Sequence, residues 1–199
     1  MNCIAVYGVK GSFSEAAALF FARGFADFRL AYFTEFYQIA DAFGRGDIDY
    51  AVIPTENSTV GAVAGAKEFI AGLGFGAKTG HGDAGNKGGA GIVADFWQPI
   101  IHALMGKHGA KIDNIREVTS HEQALNQCRE TLKKINPDLK LTPFDDTAAA
   151  AEFVATGARA DIAAIAHERC AEIYGLCVLK TAINDNPNNR THFVAIKRG

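Results

Sequence analysis

The sequence predicts an α/β fold of two lobes with a ligand cleft between them. Three observations predict it. Short apolar runs alternate with helical patterns along the chain. These strand–helix units fall into two groups, before and after residue 90. And 199 residues suffice for one compact domain or two small lobes sharing a core.

In chain order, Ile4–Tyr7 reads as a strand and Ser14–Gly24 as an Ala- and Phe-rich helix. Arg29–Phe33 is a strand, Phe36–Arg45 a helix, and Asp49–Pro54 a strand that stops at its proline. A helix of mixed periodicity follows from about Val60 to Leu73. After Trp97, Pro99–Met105 and Ile115–Thr119 read as strands, with Glu122–Ile135 as a helix. Lys140–Phe144 and Ile162–Ala166 are further strands, alternating with helices at Thr147–Thr156 and Glu168–Tyr174, and Val194–Lys197 is the last strand. Such alternation implies largely parallel sheets. The expected first lobe runs over about 1–71 plus a C-terminal segment of about 177–199, and the second over about 92–176.

Composition excludes several functional classes. A 48% hydrophobic and 21% charged chain is not disordered. Twenty Lys and Arg against 22 Asp and Glu leave a formal charge of −2, without the basic excess a nucleic-acid binder needs. No apolar run suggests a membrane span, and the N-terminus reads as a strand rather than an export signal. The cysteines at 3, 128, 170 and 177 share no CxxC spacing, so reduced thiols in a cytoplasmic protein are expected, with no metal site.

Gly72–Gly91 holds nine glycines and reads as a mobile surface loop. Within it, Gly72–Thr79 approaches a phosphate-binding loop and Gly80–Gly85 fits GxGxxG. Both motifs work only between a strand and a helix N-terminus, and here a helix precedes and more glycine follows.

Four polar stretches are candidate helix starts: Gly11–Ala17, with Ser12 and Glu15 spaced as a capping box; Pro54–Gly61; Ser120–Ala124, with Ser120 and Gln123 spaced alike; and Asp145–Thr147. Each serine could simply cap its helix. The same free N–H groups also suit an anion, and several starts around one crevice suit a dicarboxylate. Gln127, four residues after Gln123, shares its helix face and could add a neutral donor.

The chain resembles the catalytic domain of prephenate dehydratases over nearly its whole length. The resemblance rests on Gly8–Ala18 (GVKGSFSEAAA), Asp49–Val63 (DYAVIPTENSTVGAV), Pro99–Met105, Val118–Cys128 (VTSHEQALNQC), Asp146–Ala151, Ile162–Leu176 (IAAIAHERCAEIYGL) and Asn189–Phe193, all in family order. It implies two lobes of the periplasmic-binding-protein (type II) kind, with prephenate in the cleft and a homodimer or higher homo-oligomer. It also implies a cofactor-free reaction in phenylalanine biosynthesis, in which prephenate loses CO2 and water to give phenylpyruvate.

Carried over by position, Thr191 matches the threonine thought to assist loss of the hydroxyl. Ser12, Ser14, Asn57, Ser58 and Thr59 match positions that line or shape the cleft, as do Ser120, Gln123, Ala124, Gln127 and Thr147. His121 suits a helix anchor or a ligand contact equally. Phe193 matches the signature phenylalanine, expected to pack the site.

The sequence departs from the family pattern in having His192 for arginine, Glu122 for proline and a long glycine segment. It also ends at Gly199, which implies no ACT regulatory domain. Arginine gives a permanent forked carboxylate contact that histidine lacks near pH 7. Either Arg190 supplies the charge, or His192 binds the carboxylate as an imidazolium. In an extended segment Arg190 and His192 share a face and Thr191 takes the other. The competing functions are a non-aromatising prephenate decarboxylase of a secondary-metabolite pathway and a non-catalytic binding protein for a small carboxylate.

Overall fold

The computed structural model describes residues 1–74 and 90–199. Residues 75–89, which hold the whole GxGxxG look-alike, the phosphate-loop look-alike beyond Gly74 and most of the expected surface loop, lie outside these residues. In chain order the elements are β1 (Asn2–Tyr7), α1 (Phe13–Phe21), β2 (Phe28–Phe33), α2 (Phe36–Arg45), β3 (Tyr50–Asn57), β4 (Gly61–Ala62), α3 (Ala66–Gly72), β5 (Gly91–Pro99) and β6 (His102–Gly106). There follow β7 (Glu117–His121), α4 (Glu122–Gln127), α5 (Arg129–Ile135), β8 (Lys140–Phe144), α6 (Thr147–Thr156), β9 (Ile162–His167), α7 (Arg169–Tyr174), β10 (Cys177–Lys180) and β11 (Arg190–Lys197). The fold is α/β, with two sheets.

The chain divides into two compact units. The first comprises residues 1–10, 14–98 and 190–199; the second comprises 11–13 and 99–189. The expected boundaries put 11–13, 92–98 and 177–189 on the other side. β5 sits with the first unit because it pairs with β11, and β10 with the second because it pairs with β6.

In the first unit the sheet order is β2-β1-β3-β11-β5, with the short β4 on β3. Successive residues feed opposite faces, as strand geometry requires. Cys3, Ala5, Ile53, Val194 and Ile196 pack with Ile39, Phe43 and Phe69 of α2 and α3. Ile4, Val6, Val52, Phe193 and Ala195 pack with Ala17 and Ala18 of α1. α2 starts with a reciprocal Glu35–Gln38 capping box and stops at Gly46, whose φ of 79° places it in the left-handed region that favours glycine.

The second unit has the sheet order β10-β6-β9-β7-β8. Leu104, Val118, Leu125, Cys128, Leu132 and Ile165 form its core on one side. α6 is capped by Asp146, whose Oδ1 accepts from the N–H groups of Ala148 (2.7 Å) and Ala149 (3.1 Å). Buried Glu117 accepts from the Thr142 hydroxyl at 2.6 Å and pairs with Arg159 (2.7 Å) and Lys140 (3.2 Å). These partners hold its carboxyl at about 2.

Several expectations are corrected. The sheets are mixed: β1 is parallel to β2 and β3, and β7 to β8 and β9, but β11, β6 and β10 run antiparallel to β3, β9 and β6. β3 does not stop at Pro54. β1 pairs only as far as Val52, so the missing proline N–H breaks no ladder there. Pro54–Gly61 is therefore no helix start but a strand and turn leading into β4, and α3 begins only at Ala66. The expected helix Glu122–Ile135 is two helices, interrupted at Cys128. β5 and β10 were not foreseen. β5 is an edge strand with Val93 and Trp97 half exposed on its outer face, so its apolar pattern does not follow burial.

Candidate active site

In the first unit the site is built where β3 and β11 meet. The antiparallel register places Asn57 opposite Thr191 and Glu56 opposite His192, then jumps to Pro54 opposite Phe193. Thr55 is thus the extra residue of a bulge. Its hydroxyl lies 2.7 Å from His192 Nδ1 and 3.2 Å from the His192 carbonyl oxygen. The turn after β3 is set by Asn57, whose Oδ1 accepts from the N–H groups of Thr59 (2.9 Å) and Val60 (3.2 Å). Gly61 closes it at φ 91°. Ser58 extends the ladder, its N–H donating to the Arg190 carbonyl and its hydroxyl accepting from the Arg190 N–H.

With Oδ1 so occupied, Asn57 presents its nitrogen, and Nδ2 donates to Thr191 Oγ1 at 2.9 Å. Thr191 is 8% exposed and, among the described residues, its hydroxyl proton has no acceptor. A hydroxyl whose oxygen already accepts one bond is set up to donate its proton outward.

As the alternation predicts, Arg190 and His192 share the other face of β11. The Arg190 guanidinium lies 4.8 Å over the Trp97 ring, and the His192 ring centroid is 5.1 Å from that of Trp97. His192 Nε2 lies 3.6 Å from the exposed Asp95 carboxylate. Phe193 returns to the Thr191 face, fully buried and stacked with Phe96 at 6.1 Å.

In the second unit the central side chain is Gln127, the last residue of α4. Its Oε1 accepts from His102 Nε2 at 2.9 Å and from Asn189 Nδ2 at 3.1 Å. Burial pushes the His102 imidazole below its ordinary value and so keeps it neutral. The His102 N–H in turn donates to Asn184 Oδ1 at 2.7 Å. The rings of His102 and His167 meet Phe13 edge-on at 5.2 and 5.0 Å.

The remaining sequence-derived residues are more scattered. Ser120 does not cap α4. It belongs to β7, is fully buried, and donates to the Ile165 carbonyl at 2.6 Å. The cap is His121, whose Nδ1 accepts from the Gln123 N–H at 3.3 Å. Gln123 is exposed on the first turn and Ala124 is buried beneath it. Thr147 is the first residue of α6, and Ser12 is a buried residue just before α1. Ser14 is half-buried on α1. The structure thus gathers Asn57, Ser58, Thr59 and Thr191 in one unit and ties Gln127 to a network in the other. His102 and Asn189 were missed as partners of Gln127. Both lie in quoted motif segments, but nothing in sequence spacing relates residues 25 and 62 positions away. Among the described residues no three His, Cys, Asp or Glu side chains gather as a metal site would require.

A family model described as prephenate dehydratase matches residues 4–199. An Arabidopsis thaliana protein, arogenate dehydratase/prephenate dehydratase 6, chloroplastic, is 33% identical over 98% of this chain and 43% of its own length. The chain thus spans less than half the length of this relative. Among solved structures, a prephenate dehydratase from Arthrobacter aurescens in complex with L-Phe superposes with a TM-score of 0.78 at 27% identity, over 99% of this chain and 60% of that one. GqqA, described as a novel type of quorum-quenching acylase, superposes with a TM-score of 0.81 at 25% identity, over 100% and 64% respectively.

Proposed function

The chain belongs to the prephenate dehydratase family, and from that premise we propose that it converts prephenate to phenylpyruvate, with Thr191 as the donor to the departing hydroxyl. In this reaction the bond between the ring and its carboxylate breaks, releasing CO2. Its electron pair moves through the ring and the C4–oxygen bond breaks. The departing oxygen takes up a proton and leaves as water, and the ring becomes aromatic. The barrier lies in expelling a poor leaving group, so a hydrogen-bond donor or acid beside that oxygen is the group the reaction most needs.

The observation that carries this reading is the Asn57–Thr191 bond. It leaves the threonine proton free to point at a ligand, and it stabilises charge on Oγ1 as that proton shifts towards the leaving oxygen. Gln127, whose amide nitrogen has no partner among the described residues, supplies a neutral donor for a substrate carboxylate.

The test is to incubate the protein with prephenate and identify the product. Phenylpyruvate is expected. A dihydro-hydroxyphenylpyruvate would instead mean decarboxylation without aromatisation, and unchanged prephenate a binding protein. A parallel incubation with arogenate, the substrate in the relative's name, measures the preference between the two.

A further inference from the structure

We infer that His102 and Asn189 are positioning residues that hold the Gln127 carbonyl oxygen and so turn its amide nitrogen outward as a substrate donor. The inference rests on the proposed function, in which Gln127 meets a substrate carboxylate.

A glutamine side chain ends in an acceptor and a donor that differ little in shape. Left alone, it can offer either end, and an oxygen facing a carboxylate repels it. In this structure the choice is made twice over. His102 Nε2 and Asn189 Nδ2 both converge on Oε1, at 2.9 and 3.1 Å. The two partners come from separate segments, β6 and the residue before β11, and reach one atom at the end of α4. With both lone-pair directions of Oε1 used, the nitrogen is the end left to face a ligand.

The proton on His102 is fixed by the same arrangement. The ring is 3% exposed, and its Nδ1 is buried with no partner. A proton on Nδ1 would be a buried orphan donor and would leave Nε2 with no proton for Gln127. With the proton on Nε2, the ring donates to Oε1, and only an acceptor is left unpaired, the lesser cost. Burial also keeps the ring neutral. The edge-on contact with Phe13 and the bond from the His102 N–H to Asn184 hold the residue in place.

Two measurements test this. In the wild-type protein, nitrogen-15 NMR of the histidines should find His102 neutral with its proton on Nε2; a proton on Nδ1 overturns the inference whether or not prephenate is the substrate. In kinetics with prephenate, His102→Leu should raise KM by about tenfold with kcat within about threefold, as expected for a lost ground-state contact. His102→Gln, which keeps a nitrogen donor near the Nε2 position, should restore most of the KM. In a Gln127→Leu background, His102→Leu should add nothing further. An equal effect in that background, or a loss of kcat alone, overturns the inference. If the wild type leaves prephenate unchanged, the functional reading fails instead, and the tautomer measurement decides the clamp by itself.

Discussion

The proposed function draws on a side-chain amide in each unit, Asn57 and Gln127, whose oxygen is tied down and whose nitrogen is left to donate, but the two are held and used differently. In the first unit, Asn57 is fixed by backbone N–H groups two and three residues ahead, a constraint written in a few consecutive residues. Its nitrogen acts on a second side chain, Thr191. In the second unit, Gln127 is fixed by side chains 25 positions before it and 62 after. In the proposed function its nitrogen is left for the substrate. A short amide can be oriented by its own turn, whereas a longer one needs tertiary partners to lose the same freedom. The comparison predicts that damage in the first unit falls on the chemical step and damage in the second on affinity.

The largest effect should come from Thr191→Val. Valine keeps the shape and removes only the hydroxyl, so kcat for prephenate should fall by about 10²-fold or more with KM little changed. A variant that keeps most of its turnover would remove Thr191 from the reaction. Asn57→Asp is a finer probe, because the carboxylate can still accept from Thr59 and Val60 but cannot donate. The Thr191 proton would then turn inward to Asp, and kcat should fall by about 30-fold while the melting temperature moves by only a few degrees. Unchanged turnover in this variant would break the contrast between the two amides.

Acid should act on the frame of the second unit. Glu117 stays ionised in the fold down to about 2, but takes up a proton near 4.5 when unpaired. Its contribution is therefore fully present above pH 4.5 and is lost as the pH falls towards 2. Because Lys140 and Arg159 are half exposed or more, the screened contribution is about 1–2 kcal/mol. Denaturant titrations from pH 6 to pH 2.5 should show this loss in the parent and a flatter profile in Glu117→Gln. The smallest effect is expected from Arg190→Ala. Its guanidinium rests on Trp97, on the face of β11 away from Thr191, so KM should change by less than about threefold. A large rise in KM would show that this face also meets the substrate.

The fold class was legible because burial imposes a period of two on strands and of 3.6 on helices, and most elements followed it. Where the period misled, another constraint had won. Pro54 reads as a strand end, yet the strand continues, since whether a missing N–H matters depends on which neighbour lies beside it. Ser120 reads as a cap, but its hydroxyl is drawn to the Ile165 carbonyl across the sheet, and His121 caps instead. Thr191 and Asn57 could be named from the motifs, and the shared face of Arg190 and His192 from alternation alone. That Asn57 reaches Thr191, and that His102 and Asn189 hold Gln127, are facts of strand register and tertiary packing, which spacing does not encode.

The bulge at Thr55 bears on the chemistry in a way that residue identity alone would hide. Below it, β3 and β11 pair so that their residue numbers sum to 247; above it, to 248. Had the lower pairing simply continued, Glu56 rather than Asn57 would stand across from Thr191. A carboxylate there accepts where the amide donates, and the hydroxyl would spend its proton on its own neighbour. One surplus residue in a strand thus sets the polarity of an oxygen on the next. Deletions or insertions within residues 54–57 should therefore be read as changes to the proposed reaction centre, even when every side chain proposed to act on the substrate is retained.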